Sequence, residues 1–183
     1  DILSRMAAKG LAKVALSVTT LDKRLARAME PRATTPSKRI ATIRALSEAG
    51  VPTAVMVAPI IPALNDSEIE AILEAAHAAG ARQAGYVTLR LPLELKELFR
   101  EWLETERPDR ARRVIALLQS MHGGQDYVSA FGLRQRGSGP YAAQIAARFR
   151  LATQRLGLAE KRDALRTDLF TPPVPPGGQL RLL

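Results

Sequence analysis

Arg90 in YVTLRLP is a charge inside an apolar run, and Ser17 and Thr19 in KVALSVT put two hydroxyls on one face of a short strand, so these are side chains that could meet a polar ligand. A hydroxyl facing a cavity donates to a carboxylate or accepts from an ammonium, and an arginine inside an apolar run implies a polar cavity beside it. Ser17 equally suits a crowded interior as a small residue, and Thr19 suits a strand end as a β-branched one. Arg32, after Glu30-Pro31, either pairs with Glu30 or meets a carboxylate or phosphate. Arg134 and Arg136 stand beside the glycines near Gly137 in RQRGSGPY, where a loop turns into a helix start; this is either a phosphate cradle or a plain turn and cap. Arg148, with Arg150 and Arg155, sits on a basic helix on which Tyr141, Ile145 and Phe149 repeat at helical spacing as a packing face. His77 and His122 stand apart from any ligand cluster, and a helix C-terminus accounts for His122. No cysteine occurs, so disulfides and thiolate metal sites are excluded within these residues. Phosphate-loop, nucleophile-elbow and metal-spaced patterns are absent as well.

The elements that must position these groups follow from periodicity. Residues 13–19 form a short strand with Ala15, Ser17 and Thr19 on one face and Val14, Leu16 and Val18 on the other, the branched face meeting helices. Residues 21–29 are helical until Glu30-Pro31 interrupts them. Thr35-Pro36 starts the next helix as N-cap and first-turn proline, Ile40, Ile43 and Leu46 mark its face, and Gly50 ends it. Residues 51–61 make a second strand. Asn65 and Glu68 then have capping-box spacing ahead of Ile69, Ile72, Leu73 and Ala76, with Gly80 as the stop. Residues 83–91 make a third strand and residues 93–104 a helix. Alternating β and α elements with short links predict parallel strands joined by right-handed crossovers. Beyond Arg107-Pro108 the alternation stops. Helices over residues 109–122 and 140–156 flank a glycine-rich stretch, and residues 172–178 (PPVPPGG) predict an extended polyproline segment.

The sequence divides on this reading into a β/α part over 1–106, a helical basic extension over 107–170 and a proline-rich tail over 171–183. With 46% hydrophobic and 25% charged residues in 183, the chain holds enough apolar material for a sizeable core. No long apolar run or leader segment is seen, so the cytoplasm is the expected location. Charge is uneven: residues 1–105 carry 14 basic against 12 acidic side chains, a net of +2, and residues 106–183 carry 13 against 6, a net of +7. Arginine supplies 21 of the 27 cations, and its planar fork suits phosphate. Either a phosphate-bearing partner or a plain compositional bias explains that excess.

Taken together, ALSVTTLD, MEPRATTP, LSEAGVP, VAPIIPALND and SAFGLRQRGSGPYA resemble the bacterial radical S-adenosylmethionine proteins related to spore photoproduct lyase, a group that includes proteins called DNA repair photolyases. The resemblance implies an α/β fold, the C-terminal half of a partial (β/α)6 barrel, three parallel strands with helices, followed by the Arg-rich helical extension. It implies S-adenosylmethionine and a [4Fe–4S] cluster as cofactors of the full-length parent, with the cluster on a Cys-x3-Cys-x2-Cys loop that this chain does not contain. Reductive cleavage of the cofactor would give a 5′-deoxyadenosyl radical that abstracts hydrogen from substrate. Ser17 matches a serine that contacts the methionine end of the cofactor, and Ala58-Pro59 matches the segment lying along its adenine. Thr19 and Arg90 join them as cofactor-side candidates, and Arg32, Arg134, Arg136 and Arg148 are the candidates for substrate or nucleic acid.

This reading makes the chain part of a radical enzyme, inactive without the missing N-terminal barrel half, which would lie upstream of Asp1 or on a separate chain. The alternative is a cluster-free module that binds nucleic acid, or the sliding clamp through the terminal QLRLL that opens on Gln179 and closes on Leu183. A half barrel with an open edge is expected to dimerise or aggregate. The substrate itself is not encoded in any motif.

Overall fold

Three short strands carry the fold: β1 (Val14–Val18), β2 (Thr53–Ile60) and β3 (Gln83–Thr88), all parallel and in the order β1-β2-β3. This is a computed structural model, and it describes residues 1–158 and 164–171. The expected polyproline stretch and the QLRLL end lie outside the described residues. Helices α1 (Ile2–Ala7), α2 (Lys23–Met29), α3 (Pro36–Glu48), α4 (Ile69–Ala78), α5 (Leu95–Glu106), α6 (Pro108–Met121) and α7 (Gly139–Arg155) surround the strands. The mixed α/β architecture agrees with the expected partial barrel. The sequence pattern had not marked α1.

Local chemistry sets the boundaries. Asp22 accepts from the Arg24 and Leu25 amides at 2.7 and 3.3 Å and so starts α2. Pro36 opens α3 in the first turn, where its missing N–H costs nothing, and Gly50 at φ 74° closes it. Thr35 makes no capping bond to the backbone, contrary to the expected N-cap. The capping box is corrected too: the Asn65 and Glu68 side chains do not cap a helix, because both are engaged elsewhere. The third strand ends at Thr88 rather than at residue 91, since the Thr88 amide and hydroxyl both turn to the Gln135 carbonyl, at 2.9 and 3.0 Å.

Register explains the two faces of the sheet. Leu16, Val55 and Ala84 lie in one row and Val18, Val57 and Tyr86 in the next, so the branched residues share the face that packs on helices. There they meet Ile43, Ile72, Leu73 and Ala76 and, from α7, Ile145, Phe149 and Ala152. A second cluster joins α5 and α6 through Leu103, Val114 and Leu118 to Leu25, Ile61, Leu64 and Leu91 beyond the strand ends. The Trp102 indole donates to the Ala28 carbonyl at 3.1 Å and fastens α5 to α2.

A row of polar pairs docks α7 on α4 and on the turn just before it. The Tyr141 hydroxyl donates to Asp66 at 2.5 Å, the Arg148 fork donates to both Glu70 oxygens at 2.8 and 2.6 Å, and Arg155 pairs with Glu74. The partners follow one another in the same chain order, so the two helices run in the same sense. Among the described residues no helix is long and apolar enough to cross a membrane.

Candidate functional site

Away from the helices, the sheet presents Ala15 and Ser17 of β1, Ala54, Met56 and Ala58 of β2, and Gly85 and Val87 of β3, as the strand alternation requires. Ala15 and Ser17 are exposed, and the β2 members are half-buried. The Ser17 hydroxyl makes no hydrogen bond among the described residues, so it is available to a ligand. Small side chains keep this face low. Met56 is the exception, and its thioether lies over Gly85, where a Cβ would come within 2.8 Å of the sulfur.

The carboxyl ends of β1 and β2 are fastened by two side chains. Asn65, 3% exposed, accepts from the Ile61 amide at 2.7 Å and donates to the Thr19 and Pro59 carbonyls at 2.7 and 3.0 Å. A primary amide is suited to this task, since one group offers an acceptor and two donors to backbone. Glu68 accepts from the Thr20 hydroxyl at 2.5 Å and from the Leu21 amide at 2.6 Å. Ala58-Pro59, joined by a cis peptide, sits where the β2–β3 register breaks between Val57 and Ile60, as the absent proline N–H requires.

Beside the end of β1 lies a cleft of about 350 Å³ whose lining includes Thr19, Lys23, Arg27, Glu30, Thr34 and Arg39. Arg39 organises it, donating to the Ser17 carbonyl at 2.8 Å, the Thr34 carbonyl at 3.0 Å and Glu30 at 3.2 Å. Thr19 is buried, and its hydroxyl lies 3.1 Å from both Glu30 Oε2 and the Ala58 carbonyl. The Thr19 hydroxyl is thus spent on the protein, unlike that of Ser17. Glu30 has Arg39 as its ion-pair partner, so the expected local pair with Arg32 does not form, and Arg32 is exposed.

The other candidates scatter. Arg90 lies two residues past β3, where it donates to the Tyr127 hydroxyl at 3.2 Å and leaves its buried Nε without a partner. Arg134 and Arg136 cover aromatic rings near β3, and Arg148 is held by Glu70, whose carboxyl this guanidinium pulls below its ordinary value. Gly137 is not an open cradle: its φ is 70°, which strains any other residue, and an added Cβ would crowd Met121 at 3.1 Å. His122 is buried, with its Nδ1 at 2.9 Å from the Leu118 carbonyl and Nε2 unpartnered, and burial lowers its pKa. Among the described residues no group of histidines and carboxylates could hold a metal.

Sequence reasoning missed Asn65, Glu68 and Arg39 as parts of the mouth. Asn65 had one readable signal, its place directly after the apolar PIIPAL, where a polar side chain is buried and must bond to backbone. Arg39 had none, because its bonds bridge separate elements.

Comparison with known proteins agrees with this picture in part of the chain. Uncharacterized proteins of Mycobacterium bovis and Mycobacterium tuberculosis are 35% identical over 102 residues, which is 55% of this chain and 30% of each relative. The chain thus spans less than a third of the length of the curated relatives it matches. No solved structure matches at the same stringency. Residues 1–76, which hold β1, β2, the cleft, Asn65 and Glu68, match the Radical SAM superfamily.

Proposed function

We propose that this chain is the C-terminal part of a radical S-adenosylmethionine enzyme of the spore photoproduct lyase-like kind, acting on nucleic acid. The observation that carries the cofactor reading is the unbonded Ser17 hydroxyl on an open, small-residue sheet face beside the strands' carboxyl ends, within the segment that matches the superfamily. That face fits S-adenosylmethionine: Ser17 offers one hydrogen bond to its ammonium or carboxylate, and Ala54 and Ala58 leave room for a flat ring. It does not fit the [4Fe–4S] cluster, for which the chain has no thiolate. S-adenosylmethionine bound here would supply radical hydrogen abstraction only in a parent that holds the cluster elsewhere.

The residues of this chain bind and shape. Asn65 and Glu68 fix the backbone at the mouth, so the Ser17 row and Ala58 keep their spacing. Thr19 and Arg39 hold the Glu30 carboxylate on one side of the mouth. Arg90, with a buried and unpartnered Nε, supplies a cation on the β3 side. The basic excess beyond residue 106 supports nucleic acid as the substrate.

The test uses the parent protein with its upstream sequence, reconstituted without oxygen and reduced, with 5′-deoxyadenosine measured by mass spectrometry. Formation of that product, with S-adenosylmethionine binding weakened about tenfold by Ser17→Ala, is the expected result. A reconstituted parent that yields none sinks the proposal. The complete lack of cysteine favours a second reading, a cluster-free nucleic-acid or clamp-binding module. Upstream sequence without a Cys-x3-Cys-x2-Cys loop would support that module.

A further inference from the structure

Three arginine–aromatic contacts gather on β3 and the segment that crosses its end. Arg90 lies 5.9 Å from the Tyr127 ring centre, Arg134 lies 5.4 Å from that of Phe131, and Arg136 lies 3.7 Å from that of Tyr86. Tyr86 is buried against Phe149, but Phe131 is 90% exposed. A ring of that size left in water has one face against a guanidinium and the other free.

The segment is fixed at several points. The Arg134 amide bonds to the Ala130 carbonyl at 3.0 Å, a helical turn that sets residues 131 and 134 on one side. Gln135 is bonded by Thr88, Ser138 N–H reaches the Met121 carbonyl at 2.8 Å, and Gly137 packs against Met121. Its charge is one-sided. Asp126 is the only carboxylate in residues 122–138, and Arg100 and Gln119 already occupy it at 2.8 to 3.0 Å. Arg134 and Arg136 form no ion pair among the described residues.

We propose that Phe131, backed by Arg134, is a docking platform for an unpaired nucleobase, with Arg136 two residues further along the segment as a second cation, making single-stranded nucleic acid the form this protein engages. The inference rests on the nucleic-acid part of the function proposed above. Stacking accepts any base because every base has a π-face, and the arginines meet the flanking phosphates. A paired duplex offers no free base face to the ring. An acidic peptide would use the arginines and gain little from the aromatic.

Fluorescence anisotropy of the chain with labelled oligothymidylate tests this. Single strand is expected to bind more tightly than duplex of equal length. Phe131→Ala should weaken it about tenfold, while Phe131→Tyr retains it. Arg134→Gln should reduce the slope of log affinity against log salt by about one. Phe131→Trp should bind with quenching of the new indole. Because Phe131 is exposed, loss of its ring leaves the core intact, and circular dichroism verifies that. Equal affinity of Phe131→Ala and wild type, no preference for single strand, or equal displacement by polyglutamate overturns the platform. Production of 5′-deoxyadenosine by the wild-type parent without nucleic acid reports separately on the radical reading, so either can fail alone.

Discussion

Replacing Asn65 by alanine strands the Ile61 amide and two carbonyls in a buried place, since the side chain bonds all three. The expected loss is about 3 kcal/mol, seen as a lower urea midpoint at an unchanged slope. Asn65→Asp should not rescue it, because a carboxylate would face the Thr19 and Pro59 carbonyls. Ser17→Ala, by contrast, removes no bond and should change stability by less than about 0.5 kcal/mol. An equal loss in both variants would mean that Ser17 is structural. His122 adds a pH dependence. Its pKa is lowered by burial in the folded chain, whereas the unfolded chain takes up the proton near pH 6.5. The unfolded state therefore binds more protons as pH falls, and stability should decrease from about pH 6.5 downward. His122→Gln should flatten that slope in urea titrations taken at several pH values.

Element by element, the pairing of α4 with α7 shows where arginine count misleads. Composition offered Arg148 and Arg155 to a phosphate partner, yet Glu70 and Glu74, one turn apart on α4, take both. Such pairing depends on contacts between distant segments, and no local pattern reveals it. Glu70 has its pKa lowered, chiefly by its bond to Arg148, so its contribution is present above the unfolded value near 4.3 and is lost as pH falls through the folded one. Both side chains are about one-third exposed, which limits the pair to about 1 kcal/mol. Glu70→Gln should lower thermal stability at neutral pH and show no deficit in acid. An undiminished deficit below that range would point to packing instead. What periodicity does reveal is seen in α3 and β2: proline at the start, glycine past the end and alternating branched residues are local chemistry, so their limits were legible. At the carboxyl ends of β1 and β2 the sequence marked Ser17, Thr19 and Ala58-Pro59 but not their fasteners, which act across the fold.

At the scale of the sheet, β1 has a strand on one side only among the described residues. Val14 turns its N–H to β2, so the backbone groups of Ala15 and Ser17 point to the open edge. Self-association rising with concentration is expected, and Ala15→Pro, which deletes an edge N–H, should reduce it in sedimentation velocity. A chain that stays monomeric at every concentration contradicts the edge as a pairing site. Arg39 gives this edge a stop. Its guanidinium already holds the Ser17 carbonyl, so an incoming strand must halt short of Ser17 or displace it. Displacement would also break the ion pair that another nitrogen of the same fork makes with Glu30, leaving that carboxylate to the Thr19 hydroxyl. An added strand that displaced Arg39 would therefore alter the ion pairing inside the cleft as well as the edge of the sheet.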